Sequence, residues 1–505
     1  MEVFTMDYKK LQNGSDIRGV ALEGIEGQHV NLTEQATRDI GRGFALWLKA
    51  RMNKDVLTVA VGRDSRLSGE TLCTWLCDAM SAQGIQVTNI GMASTPAMFM
   101  STVTGEKPYD ASVMITASHL PFNRNGFKFF TKDGGLEKQD IAAILAYAEG
   151  NETTGLPAAA IATGSFMDAY SAILVEKVRA ATGTEKPLEG FKIVVDAGNG
   201  AGGFYVEKVL QPLGADTTGS QFLDPDGSFP NHIPNPEDKD AMAAITKAVA
   251  DNKADFGIIF DTDVDRAGAV LADGSELNRN RIIAMLAAIL LREYPGTTIV
   301  TDSFTSTGLA EFIAKRGGIH HRFKRGYRNV INEAIKLNNA GQDCQLAMET
   351  SGHGAFKENY FLDDGAYIIT KLLIELARGK KEGYTLDSLI ADLAEPAESK
   401  EFRFNIQLED FKPYGLEVLE KLEAYAAQQN GWSIAPNNFE GVRVNLDDAH
   451  GNGWFLLRMS LHDPLMPLNI ESDSVGGVLT IAKELSAFLA TCDKLDVSKF
   501  NDFVK

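Results

Sequence analysis

Cysteine is scarce in this 505-residue sequence, and the four present, Cys73, Cys77, Cys344 and Cys492, are scattered. They give no disulfide framework. Cys73 and Cys77 stand one helical turn apart, but no second ligand pair accompanies them, so core packing is expected there rather than zinc. Long apolar runs are also missing. The longest, Ile282 to Leu291, is about half a membrane span and fits a buried helix. The first residues, MEVFTMDYKKLQNGSD, have neither the apolar core of a signal peptide nor the Arg-rich helix of a transit peptide. A reducing cytoplasm is the expected location. Positive charge is in deficit, with 49 Lys+Arg against 68 Asp+Glu and a net charge of −19. That argues against nucleic acid or an anionic membrane as partner. A small anion fits only where cations are concentrated, as they are from His320 to Arg328 (HHRFKRGYR). By itself such a run reads as a solvated face.

What is present is the texture of an α/β protein too long for one core. Three stretches begin alike, with a strand, a polar strand end and a small-residue loop. Val56 to Val61 leads into Gly62-Arg63-Asp64-Ser65-Arg66, Phe191 to Val195 into Asp196 and GNGAGG, and Thr297 to Thr301 into Asp302 and Ser303. Each stretch later supplies a strand whose end carries reactive side chains. Val113 to Ile115 ends in Thr116-Ala117-Ser118-His119, Phe256 to Phe260 in the Asp261 loop, and Cys344 to Met348 in Glu349 to His353. The expected fold is α/β: three tandem related α/β domains plus a smaller C-terminal α+β domain around a central cleft. The boundaries are placed at about 1–165, 166–277, 278–395 and 396–505. In the last segment, strands are expected at Gly441 to Leu446 and Trp454 to Arg458, a loop at MSLHDPLMPLN and a helix over Val475 to Leu489, with both termini as tails. Ligands of open α/β sheets bind at the carboxyl ends of strands, where all three loops fall.

Asp261, Asp263 and Asp265 alternate in what is expected to be an extended loop, with their carboxylates on one side. Like charges ~5 Å apart at an effective dielectric of ~20 repel by roughly 3 kcal/mol per pair. Their convergence therefore calls for a cation, and all-oxygen ligation on a short loop points to Mg²⁺. Glu349 is suited to vicinal hydroxyls and His353 to proton transfer near neutral pH. Lys128, ten residues after Ser118, can orient that hydroxyl or move a proton. Two other readings share these residues. GNGAGG fits a dinucleotide fingerprint, with Asp216 or Asp224 as the ribose acid of an NAD-binding oxidoreductase. FGIIFDTDVD also fits the strand end of an aspartyl phosphatase with Asp261 as nucleophile, which leaves the Ser118 and Glu349 loops without a role.

Taken together, the motifs resemble those of the α-D-phosphohexomutases, the phosphomannomutase/phosphoglucomutase-like enzymes, over nearly the whole chain and in family order. The family's T-A-S-H-N-P matches Thr116 to Pro121 with Leu120 for Asn, and its N-G-F-K matches Asn125 to Lys128. D-G-D-x-D-R matches Asp261 to Arg266 with Thr262 for Gly. G-E-x-S-G-H matches Met348 to His353 with Met348 for Gly, and the early Arg is Arg18. The phosphate loop R-x-S-G-T-E-P departs furthest, being Arg458-Met459-Ser460-Leu461-His462-Asp463-Pro464 here. Arg458 and Ser460 are kept, and His462 offers a charged donor where Gly and Thr are lost.

The resemblance implies a mutase interconverting hexose 1-phosphate and hexose 6-phosphate, of glucose and/or mannose, with phosphoglucosamine as the alternative sugar. Ser118 would carry the phosphoryl group and a hexose 1,6-bisphosphate would be both intermediate and activator. Mg²⁺ would lie on Ser118, Asp261, Asp263 and Asp265. His119, Lys128, Arg18, Arg266 and His353 would serve catalysis. Glu349, Ser351, Lys324, Arg325, Arg458, Ser460 and His462 would bind the sugar phosphate, and the fourth domain would rotate to exclude water. A small-molecule phosphosugar is the expected partner, and the protein a monomer or homodimer.

Overall fold

The computed structural model describes residues 7–150, 160–436, 438–460 and 463–505. The chain divides into two compact units, Met1–Ile282 with Ser351–Ser388, and Ile283–Thr350 with Leu389–Lys505.

The first sheet of unit 1 has a parallel centre. Thr58–Arg63 lies between Gln86–Met92 and Ala111–Ile115, and Arg124–Thr131 returns antiparallel beside Ala111–Ile115. The central strands are short runs of Val, Ile and Ala covered on both faces, and Val59, Ala60, Val61 and Val113 are wholly buried. Helices Glu34–Arg51, Gly69–Ser81 and Lys138–Glu149 pack together over this sheet. Thr33 starts the first of them by accepting from Ala36 N through its hydroxyl. Cys73 and Cys77 lie in the core of the second, as expected from their spacing. The second sheet sets Ile193–Asp196 parallel to Phe256–Phe260, which pairs antiparallel with Ala267–Leu271. Helix Lys239–Asn252 packs Met242, Ile245 and Val249 onto it. A hairpin of Gly354–Phe356 and Leu362–Asp363 precedes helix Gly365–Glu382, which packs on Met167–Thr182.

In unit 2, Thr298–Thr301 pairs in parallel with Ile319–Arg322 and with Cys344–Met348. Helices Thr307–Lys315 and Tyr327–Asn339 connect these strands. The C-terminal module is an antiparallel sheet in the order Glu398–Asn405, Leu465–Ser472, Gly453–Leu457, Val442–Leu446, Trp432–Ile434. Helices Phe411–Ala426 and Gly477–Leu489 share its core.

Two expectations are corrected here, and one strand is added that the sequence does not mark. Much of MSLHDPLMPLN is strand rather than loop: Met466, Leu468 and Ile470 are wholly buried and Asn469 is partly exposed, a period of two masked by Pro464 and by Pro467, which is itself buried. The edge strand Glu398–Asn405 was hidden by its charges, with only Phe402 and Phe404 turned inward. Among the described residues neither end of the chain is a simple tail. Helix Ser498–Val504 buries Phe500 against Phe402 at 5.0 Å, and near the start Tyr8 and Leu11 are buried, the Tyr8 hydroxyl donating to Asp39 at 2.5 Å.

Candidate active site

The loop after strand Ala111–Ile115 is shaped by its own side chains. Thr116 Oγ1 accepts from Ser118 N at 2.9 Å, and Ser118 takes φ +53°, the left-handed region that a non-glycine residue enters at a cost. The carbonyl of Ala117 accepts from Arg18 Nη1 at 3.1 Å, while Arg18 Nη2 donates to Asp16 at 2.9 Å. The Ser118 hydroxyl is almost fully buried, 3.1 Å from Asp261 Oδ2 and 2.6 Å from Arg266 Nη2.

The Asp261 loop is a tight turn and not the extended segment expected from its alternation. Val264 sits at φ +66° with its N donating to the Asp261 carbonyl at 3.3 Å, and its apolar side chain is wholly buried. Burial of Val264 sets the turn, and the carboxylates converge within 4.8 Å by that route. GNGAGG backs it. A Cβ on Gly200 would come within 2.7 Å of the Thr262 carbonyl oxygen, and one on Gly203 within 2.5 Å of the Leu223 carbonyl oxygen. These glycines admit the chain's own backbone, so they leave no cradle for a pyrophosphate, and the dinucleotide reading falls. Asp196, at the start of the loop, instead holds His232 Nε2 at 3.0 Å from each of its oxygens.

Cations and carboxylates alternate through this cluster. Arg266 donates from Nε and Nη2 to Asp261 Oδ2 at 3.1 and 2.8 Å, and from Nη1 to Asn235 at 3.1 Å. Lys128 Nζ bonds Asp263 Oδ2 at 3.1 Å and also Asp265 Oδ2. Burial, then the neighbouring Asp265, pushes Asp261 well above the usual carboxylate range. Burial works against Asp265 too, but Lys128 and Arg266 outweigh it and hold that carboxyl below its usual value. Burial and the Arg266 guanidinium lower His119, whose Nδ1 is 2.8 Å from Arg266 Nη2, to about 3. The same two causes put His353 well below its ordinary value. His353 Nδ1 is 2.9 Å from Ser351 Oγ, and its Nε2 is 3.7 Å from both Asp265 and Asp363.

The three aspartates fit a hard divalent cation. They offer oxygen ligands only, and Asp263 Oδ1 and Asp265 Oδ1 are buried without a hydrogen-bond partner among the described residues. Asp265 also converges with His353 and Asp363.

Two contributors were not singled out by sequence. Thr95 reaches across from the first sheet, its N donating to the Asp263 carbonyl at 2.8 Å and its Oγ1 to Asp263 Oδ2 at 2.5 Å. Arg66 is buried beneath the Ser118 loop. The available signal was that both follow a strand end, in Ala93-Ser94-Thr95-Pro96 and Arg63-Asp64-Ser65-Arg66.

Unit 2 gathers a second group. Glu349 Oε1 accepts from Gly326 N at 2.5 Å, which fixes it to the basic segment. Thr350 donates through N and Oγ1 to Asp302, at 3.2 and 2.7 Å. Arg325 and Arg458 both lie over the Phe304 ring, at 4.8 and 4.9 Å from its centroid. Glu440 ties them together: it accepts from Ser303 Oγ at 2.6 Å and Arg325 N at 3.0 Å, and lies 3.7 Å from Arg458 Nη1. Lys324 is exposed, and Ser460 Oγ accepts from Asp463 N at 3.2 Å. His462 lies outside the described residues.

Comparison with known proteins places the chain in a family. Models of the phosphoglucomutase/phosphomannomutase alpha/beta/alpha domains I, II and III match residues 9–154, 168–274 and 278–396. A phosphoglucomutase of Neisseria gonorrhoeae is 32% identical over 473 residues, 93% of this chain and 95% of the relative. A phosphomannomutase/phosphoglucomutase of Pseudomonas putida is 31% identical over 464 residues, 91% and 92% of the two chains. The crystal structure of a phosphoglucomutase/phosphomannomutase family protein from Burkholderia thailandensis is similar with a TM-score of 0.77 at 28% identity, covering 95% of this chain and 97% of that one. The chain belongs to the phosphoglucomutase/phosphomannomutase family. It is an enzyme, an intramolecular phosphotransferase of the isomerase class. No helix among the described residues is long and apolar enough to cross a membrane.

Proposed function

We propose that this enzyme interconverts hexose 1-phosphate and hexose 6-phosphate, of glucose and/or mannose, through phosphorylated Ser118 and a hexose 1,6-bisphosphate that also serves as activator. The observation that carries the reading is Ser118 Oγ, buried and within hydrogen-bond reach of both Asp261 and Arg266.

In the forward half-reaction the phosphoryl group leaves Ser118 Oγ for a sugar hydroxyl oxygen, whose proton departs, while the serine oxygen regains a proton. After the bisphosphate reorients, the other phosphate returns to Ser118. Arg266, with Arg18 and His119 beside the loop, supplies fixed donors to the phosphoryl oxygens in transfer. Lys128 and His353 move the hydroxyl proton. Glu349 and Ser351 accept sugar hydroxyls, and Lys324, Arg325, Arg458, Ser460 and His462 hold the phosphate that is not reacting, so that binding energy away from the chemistry orients the reacting end. Mg²⁺ on Asp261, Asp263, Asp265 and the Ser118 oxygen would neutralise charge on the phosphoryl group. The protein is taken as cytoplasmic, monomeric or homodimeric, with its four segments bounded at about 1–165, 166–277, 278–395 and 396–505.

An aspartyl-phosphatase role fits less well, because the Asp261 carboxylate is already occupied by Ser118 and Arg266. Among sugars, the similarity to proteins named phosphoglucomutase and phosphomannomutase/phosphoglucomutase favours glucose and mannose over glucosamine. Replacing Ser118 by Ala tests the reading: mutase activity should vanish while the melting temperature is kept, and retained activity would overturn it.

A further inference from the structure

Ser118 holds a backbone conformation that costs energy, and something outside the loop must over-determine it. The Arg66 guanidinium is the group in position to do so. Arg66 is 1% exposed, among the largest of the fully buried side chains, and a buried cation of that size needs partners that repay its desolvation. Its partners are carbonyls of the loop. Nη1 donates to Pro121 O at 2.8 Å and Arg124 O at 2.9 Å, and Nη2 donates to Leu120 O at 2.6 Å and also to Ser118 O. One planar fork thus gathers four carbonyls from seven consecutive residues, a task no other side chain can perform.

The fork is itself fixed. Asp64 accepts from Arg66 N at 2.9 Å and lies 3.5 Å from Arg66 Nε. The Phe229 ring covers the guanidinium at 5.2 Å. Phe229 comes from the Pro- and Gly-rich segment after Asp224, whose Gly227 approaches so closely that a Cβ would lie 2.4 Å from Leu67 N and 2.5 Å from Ser65 O. The same segment supplies Asn235 to Arg266 and His232 to Asp196. It therefore braces the floor of the serine loop at one end and the arginine that touches Ser118 Oγ at the other.

We infer that Arg66 is a positioning residue for phosphoryl transfer: it locks the Ser118 loop in its left-handed form and aims Ser118 Oγ at Asp261 and Arg266, with Phe229 holding the guanidinium in place. This rests on Ser118 being the phosphoryl carrier. Lysine at position 66 keeps the charge but cannot reach four acceptors in a plane. Misplacing a reacting atom by about 1 Å costs on the order of 100-fold in rate, so Arg66→Lys should lower kcat about 100-fold with KM within about threefold.

The experiment measures Ser118 phosphorylation by glucose 1,6-bisphosphate in a single turnover, by intact mass, together with kcat, KM and melting temperature, on folded wild type, Arg66→Lys and Phe229→Leu. A wild type that gains no phosphate on Ser118 would refute the phosphoserine reading itself. If wild type is labelled, slow labelling and low kcat in folded Arg66→Lys support the inference, and wild-type rates in that folded variant overturn it, since a residue needed only for stability would shift the melting temperature alone. Should Arg66→Lys fail to fold, Phe229→Leu decides: the half-buried ring can be trimmed without touching the four hydrogen bonds. A loss of roughly threefold or more in the labelling rate at unchanged KM is then expected, and an unchanged rate overturns the inference.

Discussion

Arg266 Nη2 donates at once to Ser118 Oγ at 2.6 Å and to Asp261 Oδ2 at 2.8 Å, so one nitrogen joins the serine of the first sheet to the carboxylate of the second. Those two residues are 143 positions apart in the chain, and their side chains meet at 3.1 Å. The chemistry proposed for this enzyme depends on that meeting.

Lys128 shares two of the three aspartates that would hold the metal, bonding Asp263 and Asp265. An ammonium there repels a divalent cation. Lys128→Met should therefore bind Mg²⁺ at least ~10-fold more tightly, since even a well-screened unit charge at ~4 Å is worth more than 1.4 kcal/mol at an effective dielectric of ~20. Turnover should fall by ~100-fold or more, the usual scale for losing a proton-transfer group. Calorimetric Mg²⁺ titration checks the first effect, and weaker binding in the variant would refute it.

Gly200 lies against the backbone of Thr262, where an added Cβ would stand only 2.7 Å from the Thr262 carbonyl oxygen and 2.8 Å from its Cα. Neither atom can swing away as a side chain would. Gly200→Ala should cost about 1–3 kcal/mol of stability, the range for overpacking a closed interior. Urea unfolding is the test, and a variant within ~0.5 kcal/mol of wild type would show that the Asp261 turn is not braced from this side.

Arg458 and Arg325 flank Phe304 and converge on Glu440. If this group holds the non-reacting phosphate, Arg458→Ala should reduce kcat/KM by roughly 10–100-fold, on the scale of a lost charge-assisted hydrogen bond, with most of the change in KM. Steady-state kinetics on glucose 1-phosphate decide it, and an unchanged KM would remove Arg458 from the anchor.

Glu471 in the C-terminal sheet is pushed from 4.5 to about 7 by burial, against the pull of Arg443. The native state therefore keeps a proton that the unfolded chain has released over that interval, so stability falls as pH rises from 4.5 toward 7 and the full cost stands above it. Glu471→Gln should be the more stable protein at about pH 8, by at most about 3 kcal/mol since one pKa unit is worth ~1.4 kcal/mol, and the difference should close below about pH 4.5. Thermal melts across pH check the sign, and an advantage that grows toward acid would contradict it.

The reach of the sequence followed the range of the interactions. Strands Phe256–Phe260 and Cys344–Met348 lie where their apolar runs placed them, and the loops that follow carry the expected side chains, because both signals are local. The shape of the Asp261 loop is not local: alternation suggests an extended segment, whereas burial of Val264 makes it a turn. Thr95 and Arg66 carry no local mark of their roles because their partners are 168 and more than 50 residues away. Strand Leu465–Ser472 is obscured by Pro467 within it and Pro464 just before it, and Glu440 has no motif of its own to mark it. Pairings of this range follow from tertiary packing and leave no periodic trace in the chain.

The central claim is that Ser118 carries the phosphoryl group. Intact mass of the purified enzyme with and without glucose 1,6-bisphosphate and Mg²⁺, followed by peptide mapping, tests it most directly. One added phosphate on the peptide containing Ser118, absent in Ser118→Ala, is the predicted result. An enzyme that turns over hexose phosphates with no phosphate ever found on that peptide would contradict the account.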